Sequence, residues 1–396
     1  MNLRWAGEDE LDRVAETRMH CYAQAIKDLP KFQEGIRGDE RATAGDFLLA
    51  EQDGQCIGTA TGLSMHMWMR GARLPIQGVA YVGTIRTARR GGVANQIMSA
   101  TIAMAREREQ VITALMPFRA SYYERFGYGF AEQRTDWTIP LALMPSAEAG
   151  GLRYATEGDR PVIAKLRQQF VEAGQCDIET TDAGWALRRS QESEGFQIIG
   201  EGCWAMLISD FSNPSRPVLR VTQAAWKSTS NLKALLSFLG SQRDQFGAAF
   251  LSLPTDFPLN RLLRETQLPH RPVSHLFAEA KPYTRMQIRV LNHRKVLEAL
   301  HLPISAKGKV AVAITEPDGE PIRLAIDFEE GRITARPFAG ECEVSCSAGV
   351  WASIVSGDLS ASTARGMGLI PSHRDAAIEM LDVFAKGPTP FCNEYF

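Results

Sequence analysis

Several features are scarce in this chain of 396 residues, and each absence removes a class of function. The formal net charge is only -2 and no polybasic stretch occurs, so broad electrostatic affinity for nucleic acid or an anionic membrane is not expected. No apolar run approaches the ~20 residues of a membrane span. The start, Met1-Asn2-Leu3-Arg4-Trp5, lacks the apolar core of a secretory signal. A cytoplasmic location follows as an expectation. Cysteine is sparse and odd in number: seven residues, of which only Cys342 and Cys346 lie close together. Three residues separate that pair, and no histidine or second pair stands nearby, so the spacing of a zinc site is missing. Reduced, mostly buried thiols and no metal are the expectation.

What is present reads as an ordinary globular protein, with 44% hydrophobic and 23% charged residues. The length exceeds one ordinary core, and two to four domains are expected from roughly 100–200 residues each. A stretch of small residues and breakers, Pro145 to Gly151, reads as a linker. The segments flanking it resemble each other. "LRWAGEDELDRVAETR" from Leu3 and "LRYATEGDRPVIAKLR" from Leu152 share Leu, Arg, Ala, Glu, Ala and Arg at constant offset. Both read as a short strand, an acidic helix start and an amphipathic helix, and a repeat of that length signals domain duplication. From Pro282 the pattern changes. "KGKVAVAITEPDGEPIRLAIDFEEGRITARP" alternates around turn residues and predicts an antiparallel meander, followed by helices over Ser347–Val355 and His373–Phe384. The expected domains are therefore 1–145, 152–281 and 282–396, the last an α+β domain.

The most informative stretch is "VAYVGTIRTARRGGVANQIMSATIAMARERE". Val79 to Ile85 reads as a buried strand, Arg86 to Gly91 as a basic loop, and the residues from Gly92 as a helix with apolar spacing. The first N–H groups of such a helix lack internal partners and the dipole adds about half a positive charge, which together favour an anion. Arg89 and Arg90 add mobile positive charge. Gly92 permits close approach of a phosphate to the backbone, and Ala94 keeps the entrance free of bulk. Taken alone, the Arg-x-x-Gly-x-Ala run also fits a solvated basic turn. It is neither a Walker loop nor a dinucleotide fingerprint.

The run Val82 to Ala94 resembles motif A of the GCN5-related N-acetyltransferases, and "YYERFGYGF" some thirty residues on resembles their Tyr-x-x-Phe-Gly-Tyr segment. Over the whole chain the layout resembles the enhanced intracellular survival (Eis) family: two tandem acetyltransferase-type mixed-sheet domains, then a sterol-carrier-like α+β domain. The resemblance implies that Val82, Gly83, Thr84, Arg89, Arg90, Gly91, Gly92, Val93 and Ala94 bind acetyl-CoA. It implies Tyr123 as general acid and the α-carboxylate of Phe396 as base. It also implies an acceptor amine (an aminoglycoside, polyamine or lysine side chain) and a homo-oligomer, hexameric in the family. This chain has Tyr395 where better-known members carry an acidic residue, which removes the basis for inheriting a preference for polycations.

The chemistry of amide formation matches those roles. A simple amine is mostly protonated near pH 7 and must lose a proton, and a departing thiolate gains from a donor. A phenol of ordinary pKa ~10 is protonated at neutral pH. Tyr122 and Tyr128 read as packing residues, as do His20 and His66. In the second copy, "VTQAAWKSTSNLKALLSFL" from Val221 has neither the arginine pair nor the glycines, so this copy reads as structural. Two other readings stay open from the residues alone: a carrier whose third domain holds a lipid-like ligand, and a transferase of a longer acyl group.

Overall fold

The structure is a computed structural model that describes residues 1–22, 25–146, 151–191, 195–265 and 276–396. Side chains at 189–191, 372 and 373 are outside the description, as is most of the linker read at Pro145–Gly151.

The chain begins with β1 (Asn2–Trp5), α1 (Leu11–Cys21) and α2 (Leu29–Arg37). There follow β2 (Phe47–Gln52), β3 (Gln55–Met69), β4 (Ala72–Thr84), α3 (Val93–Glu107) and β5 (Ile112–Leu115). Then come α4 (Ala120–Glu124), β6 (Gly129–Phe130) and β7 (Arg134–Pro140). The second copy of the repeat supplies β8 (Arg153–Tyr154), α5 (Arg160–Ala173), β9 (Asp177–Ile178) and α6 (Asp182–Gln191). It continues through β10 (Gly195–Gly200), β11 (Cys203–Asp210), β12 (Val218–Trp226), α7 (Thr229–Ser241), β13 (Ala248–Pro254) and β14 (Glu279–Tyr283). After β15 (Gln287–Val290) and α8 (His293–Ala299), the expected meander forms β16 (Gly308–Thr315), β17 (Ile322–Glu329) and β18 (Arg332–Pro337). Last come β19 (Val344–Ser347), α9 (Ala348–Ser356), α10 (Ala361–Gly366), β20 (Ser372–His373) and α11 (Asp375–Leu381).

These elements build three mixed or antiparallel sheets. The first runs β1-β2-β3-β4-β5-β15-β6, with β9 also on β3, and the second runs β14-β7-β13-β12-β11-β10-β8. The third is β18-β17-β16-β19-β20. In each of the first two sheets an antiparallel run is joined by a crossover helix to a parallel neighbour, β4 to β5 and β12 to β13. The fifth strand then pairs antiparallel with a strand from a distant part of the chain. β5 takes β15, and β13 takes β7, the strand that directly follows the first sheet's own segment.

Where the sequence draws three domains, close packing groups the chain into two compact units: 1–132 with 175–187 and 285–396, and 133–174 with 188–284. The C-terminal meander and α9 share one cluster of buried side chains with the first sheet, including Met67, Ile76 and Ile112 together with Ile326, Trp351 and Ile354. Apolar alternation places the helices of the first unit. On β2, Phe47 and Leu49 join Val14 and Ile36 of α1 and α2, while Leu48 and Ala50 join Val93 and Ile97 of α3. One strand thus serves two apolar layers through its period of two.

The repeat read from the sequence is visible in both units as strand, 3₁₀ turn and helix. Glu8–Glu10 leads into α1 and Glu157–Asp159 into α5.

Candidate active site

β4 is paired with β3 along most of its length, but its pairing with β5 ends at Val79 opposite Leu115. Residues 80–84 therefore run on without a strand on that side. A bulge helps: Thr59 and Thr61 face Gly83 and Ala80, and Tyr81 takes a left-handed φ of 51°. The opening is a cleft of about 650 Å³ within the first unit. Val82, Gly83 and Thr84 line it from β4, and Arg89, Arg90, Gly92, Val93 and Ala94 from the loop and the start of α3. Eight of the nine cofactor residues expected from sequence meet there; Gly91 is the one that does not line the wall.

The mouth of α3 has the local geometry of an anion site. Gly92 is the N-cap at φ 81°, ψ 0°, a left-handed conformation, and offers no side chain to cap the helix. A Cβ on it would meet no atom within 4 Å. The N–H groups of Val93 and Ala94 have no acceptor one turn back, because the helix begins with them. Arg90 is left-handed too, at φ 67°, and successive turns of this kind gather N–H groups into a concavity. Arg89 is held rather than mobile: its Nη2 donates to the Cys21 carbonyl at 2.8 Å. The Thr84 hydroxyl oxygen is buried without a partner. An unpartnered hydroxyl, uncapped amides and nearby guanidinium groups fit a phosphate-bearing ligand.

The second unit shows the opposite arrangement at the same point of the repeat. Ser228 caps α7, its hydroxyl accepting from the Asn231 N–H at 3.2 Å. A side chain satisfies there what the glycine leaves free in the first unit.

Opposite the loop stand Cys21 and Tyr22 from the end of α1, and Asn95, Phe118, Tyr122 and Arg125. Gly83 lets α1 lie close, since a Cβ there would meet the Cβ of Cys21 at 2.7 Å. Tyr122, which the sequence assigns to packing, is a wall residue: Arg125 stacks on its ring at 4.3 Å and donates to Asn95 at 2.9 Å. Tyr123 lies behind it, 4% exposed, with its ring edge-on to Tyr122 at 4.9 Å and against Val79, Met98 and Leu115. Its hydroxyl makes no hydrogen bond to the protein and is not sealed off. Burial, followed by the neighbouring phenols Tyr122, Tyr22 and Tyr128, pushes its pKa well above that of a free phenol. Tyr128 is fully buried and accepts a hydrogen bond from the Thr113 hydroxyl at 2.8 Å, so it serves packing. Neither His20 nor His66 lines the cleft.

The C-terminus is held in place within the same unit. The N–H groups of Phe391, Cys392 and Asn393 donate to the Gln175 carbonyl, to Glu132 and to Asp177. Arg285 donates to the carbonyl of Cys392 at 2.6 Å, and Arg41 to that of Tyr395 at 2.9 Å. Phe396 is buried, its ring against Met65 and the open face of Gly78 on β4. It does not line the cleft wall, although the strand it touches does. None of these tail partners carries a motif in the sequence.

Residues 2–131 match the family described as an acetyltransferase (GNAT) domain. The matched segment holds the whole of the cleft wall. An "Uncharacterized N-acetyltransferase" of Streptomyces avermitilis is 31% identical over 95 residues, 24% of this chain and 23% of that protein. The chain thus spans about a quarter of that curated relative. Over its full length the fold is similar to the "GCN5-related N-acetyltransferase from Anabaena variabilis" at TM-score 0.87, 16% identity and complete coverage of both chains. It is also similar to "Eis1 from Mycobacterium abscessus" at TM-score 0.82, 17% identity and complete coverage of both. The GNAT fold and its mixed sheets are thereby shown for the chain. Among the described residues no helix is long and apolar enough to cross a membrane, and no cluster of three or more His, Cys, Asp or Glu could hold a metal ion.

Proposed function

We propose that the protein is an N-acetyltransferase that transfers an acetyl group from acetyl-CoA to a primary amine at the cleft of the GNAT domain. The single observation that carries this reading is the uncapped, left-handed entrance to α3 at Gly92, opening on a cleft of about 650 Å³. Val93 and Ala94 would offer their N–H groups to the pyrophosphate, Arg89 and Arg90 their charge, and Gly91 the slim approach. The unpaired edge of Val82, Gly83 and Thr84 would take the pantetheine arm. The tandem arrangement with a sterol-carrier-like C-terminal region, as in the Eis family, belongs to the same proposal.

When bound, acetyl-CoA supplies an acetyl group activated as a thioester. Tyr123 donates its phenolic proton toward the departing sulfur; its raised pKa keeps that proton available at neutral pH. The Phe396 carboxylate takes the proton that the amine nitrogen must lose, directly or through water. The new C–N bond forms as the C–S bond breaks, so one proton leaves nitrogen and one reaches sulfur. The ordered tail supports the second role, because a frayed terminus could not hold a base in position.

Thiol release from acetyl-CoA over a panel of amines tests the activity, and calorimetry with coenzyme A tests the site. Absence of both turnover and binding refutes the reading. A one-residue glycine extension keeps the Phe396 ring but moves the carboxylate, and is expected to lower kcat by at least ~10²-fold. Unchanged kcat removes that carboxylate from the mechanism.

A further inference from the structure

Arg18 is a buried cation without an ion-pair partner among the described residues. Its side chain lies on the face of α1 that Cys21 and Tyr22 continue toward the cleft, three and four residues on. The residue is 5% exposed. One Nη2 donates to the Thr61 hydroxyl of β3. Nε is buried without a partner, and Nη1 has neither a partner nor a seal. Among the described residues no carboxylate forms an ion pair with it. Asp39, the nearby acid, is taken by Arg41 through bonds of 2.8 Å and 2.7 Å. Glu394 is occupied by the Thr180 hydroxyl at 2.6 Å. Burial lowers the Arg18 pKa to about 10, which leaves it charged at neutral pH.

Aromatic rings partly replace the missing anion. The guanidinium carbon lies 4.0 Å from the centroid of Tyr81 and 5.0 Å from that of Phe47. Tyr81 is half exposed on the β4 bulge, and its ring meets that of the cleft residue Tyr22 edge-on at 6.3 Å. Arg18 is not itself a wall residue; it is linked to the cleft through Tyr81 and the wall residue Tyr22, beside the strand that Phe396 touches. The matching position of the repeat is Arg167, also buried, so burial here is a property of the fold. What calls for a ligand is the missing ion-pair partner together with the cleft to which those rings link it. A planar cation of this kind pairs best with a carboxylate, through two parallel hydrogen bonds.

We propose that Arg18 is the receptor for an anionic group on the acceptor, so that the amine this protein acetylates also carries a carboxylate. The inference rests on the N-acetyltransferase reading and narrows it away from polyamines. The site is then charge-matched: the amine faces the terminal carboxylate while its own carboxylate pairs with Arg18, and a polycation meets the unpaired Arg18 instead.

The test compares amino acids with their carboxamides, and with spermidine, as acceptors in the thiol-release assay. The carboxylate form is expected to exceed its amide by at least ~10-fold in kcat/KM, mostly through KM. Arg18→Gln should abolish that ratio while leaving the affinity for coenzyme A unchanged. Arg18→Lys should restore part of it. Arg18→Met, a packing replacement, should fold at least as well as the parent and lose the preference. Equal or better turnover of the amides or of spermidine by the parent protein overturns the proposal, whatever the variants do. So does an Arg18→Gln protein that loses activity on both acceptor forms alike. A separate arm reads binding without turnover: amino acids should raise the melting temperature of the parent in the presence of coenzyme A, and their amides should not. Lack of that difference refutes the anion site even where coenzyme A binds, whereas failure of coenzyme A to bind refutes the enzyme reading itself.

Discussion

Placing a charge at the mouth of α3 separates its electrostatic role from its shape. Gly92→Asp puts a carboxylate into open space, since nothing lies within 4 Å of a Cβ there. Gly92→Asn builds nearly the same side chain without the charge. Both pay for the left-handed backbone at φ 81°, about 1 kcal/mol at the low end that Asn and Asp incur. The two variants should therefore melt within a few degrees of each other. Their affinities should differ strongly. A carboxylate about 5 Å from a phosphate oxygen, at an effective dielectric of about 20, adds roughly 3 kcal/mol of repulsion per unit charge. That corresponds to about a 10²-fold higher Kd for coenzyme A in the Asp variant than in the Asn variant. With a screening length of ~10 Å at 0.1 M salt, the ratio should shrink as salt is added. Isothermal calorimetry at two ionic strengths measures it. If two folded variants bind coenzyme A within threefold of each other at low salt, the anion is not at this helix and the reasoning fails.

Tyr123→Phe is expected to reduce kcat by ~10²-fold or more with little change in the KM for acetyl-CoA. Tyr122→Phe, which keeps the wall and its stacking on Arg125, should have a small effect, and steady-state kinetics of the pair decides which phenol donates. Gly129→Ala should cost at least about 2 kcal/mol, because a Cβ there collides with the Gly349 carbonyl of α9; chemical denaturation measures it. Burial pushes the Cys346 thiol and the Tyr128 phenol up to about 12 in the folded protein, so folding favours their neutral forms. Their contribution is complete below the unfolded values, about 8.5 for a thiol and about 10 for a phenol. It is lost as pH climbs from there toward 12. Melting temperature should be flat between pH 7 and 8 and fall clearly by pH 10.5, and a flat profile to that pH would contradict the burial of these groups.

The strand, loop and helix of the cleft were legible because their information is local. Val79–Ile85 falls at the end of β4, and helical spacing from Gly92 gives α3 to within a residue. The meander was equally plain in its alternation. β15 was not legible, since four residues, Gln287–Val290, carry no signal for insertion between β5 and β6; that choice is made by non-local pairing. The order of Tyr122 and Tyr123 at the cleft was also hidden. Both sit on one turn of α4, and the phase of that turn is set by packing against α3 and the strand ends. The apolar ending hinted at an ordered tail, but its partners Glu132, Gln175 and Asp177 are scattered polar residues with no spacing in common. Arg18 was invisible for a related reason: on an amphipathic helix an arginine reads as a solvated residue until its surroundings are known.

The crossed membership of β7 and β15 bears on how this polypeptide can be made and cut. A fragment ending near residue 145 would keep a strand destined for the other sheet and lack the one that completes its own. During synthesis the cleft-bearing sheet must wait for residue 290 to emerge from the ribosome before it can close, with the intervening stretch folding in the meantime. Anyone wishing to express the cleft-bearing portion by itself would need to graft Gln287–Val290 back onto it, rather than trim at the apparent linker.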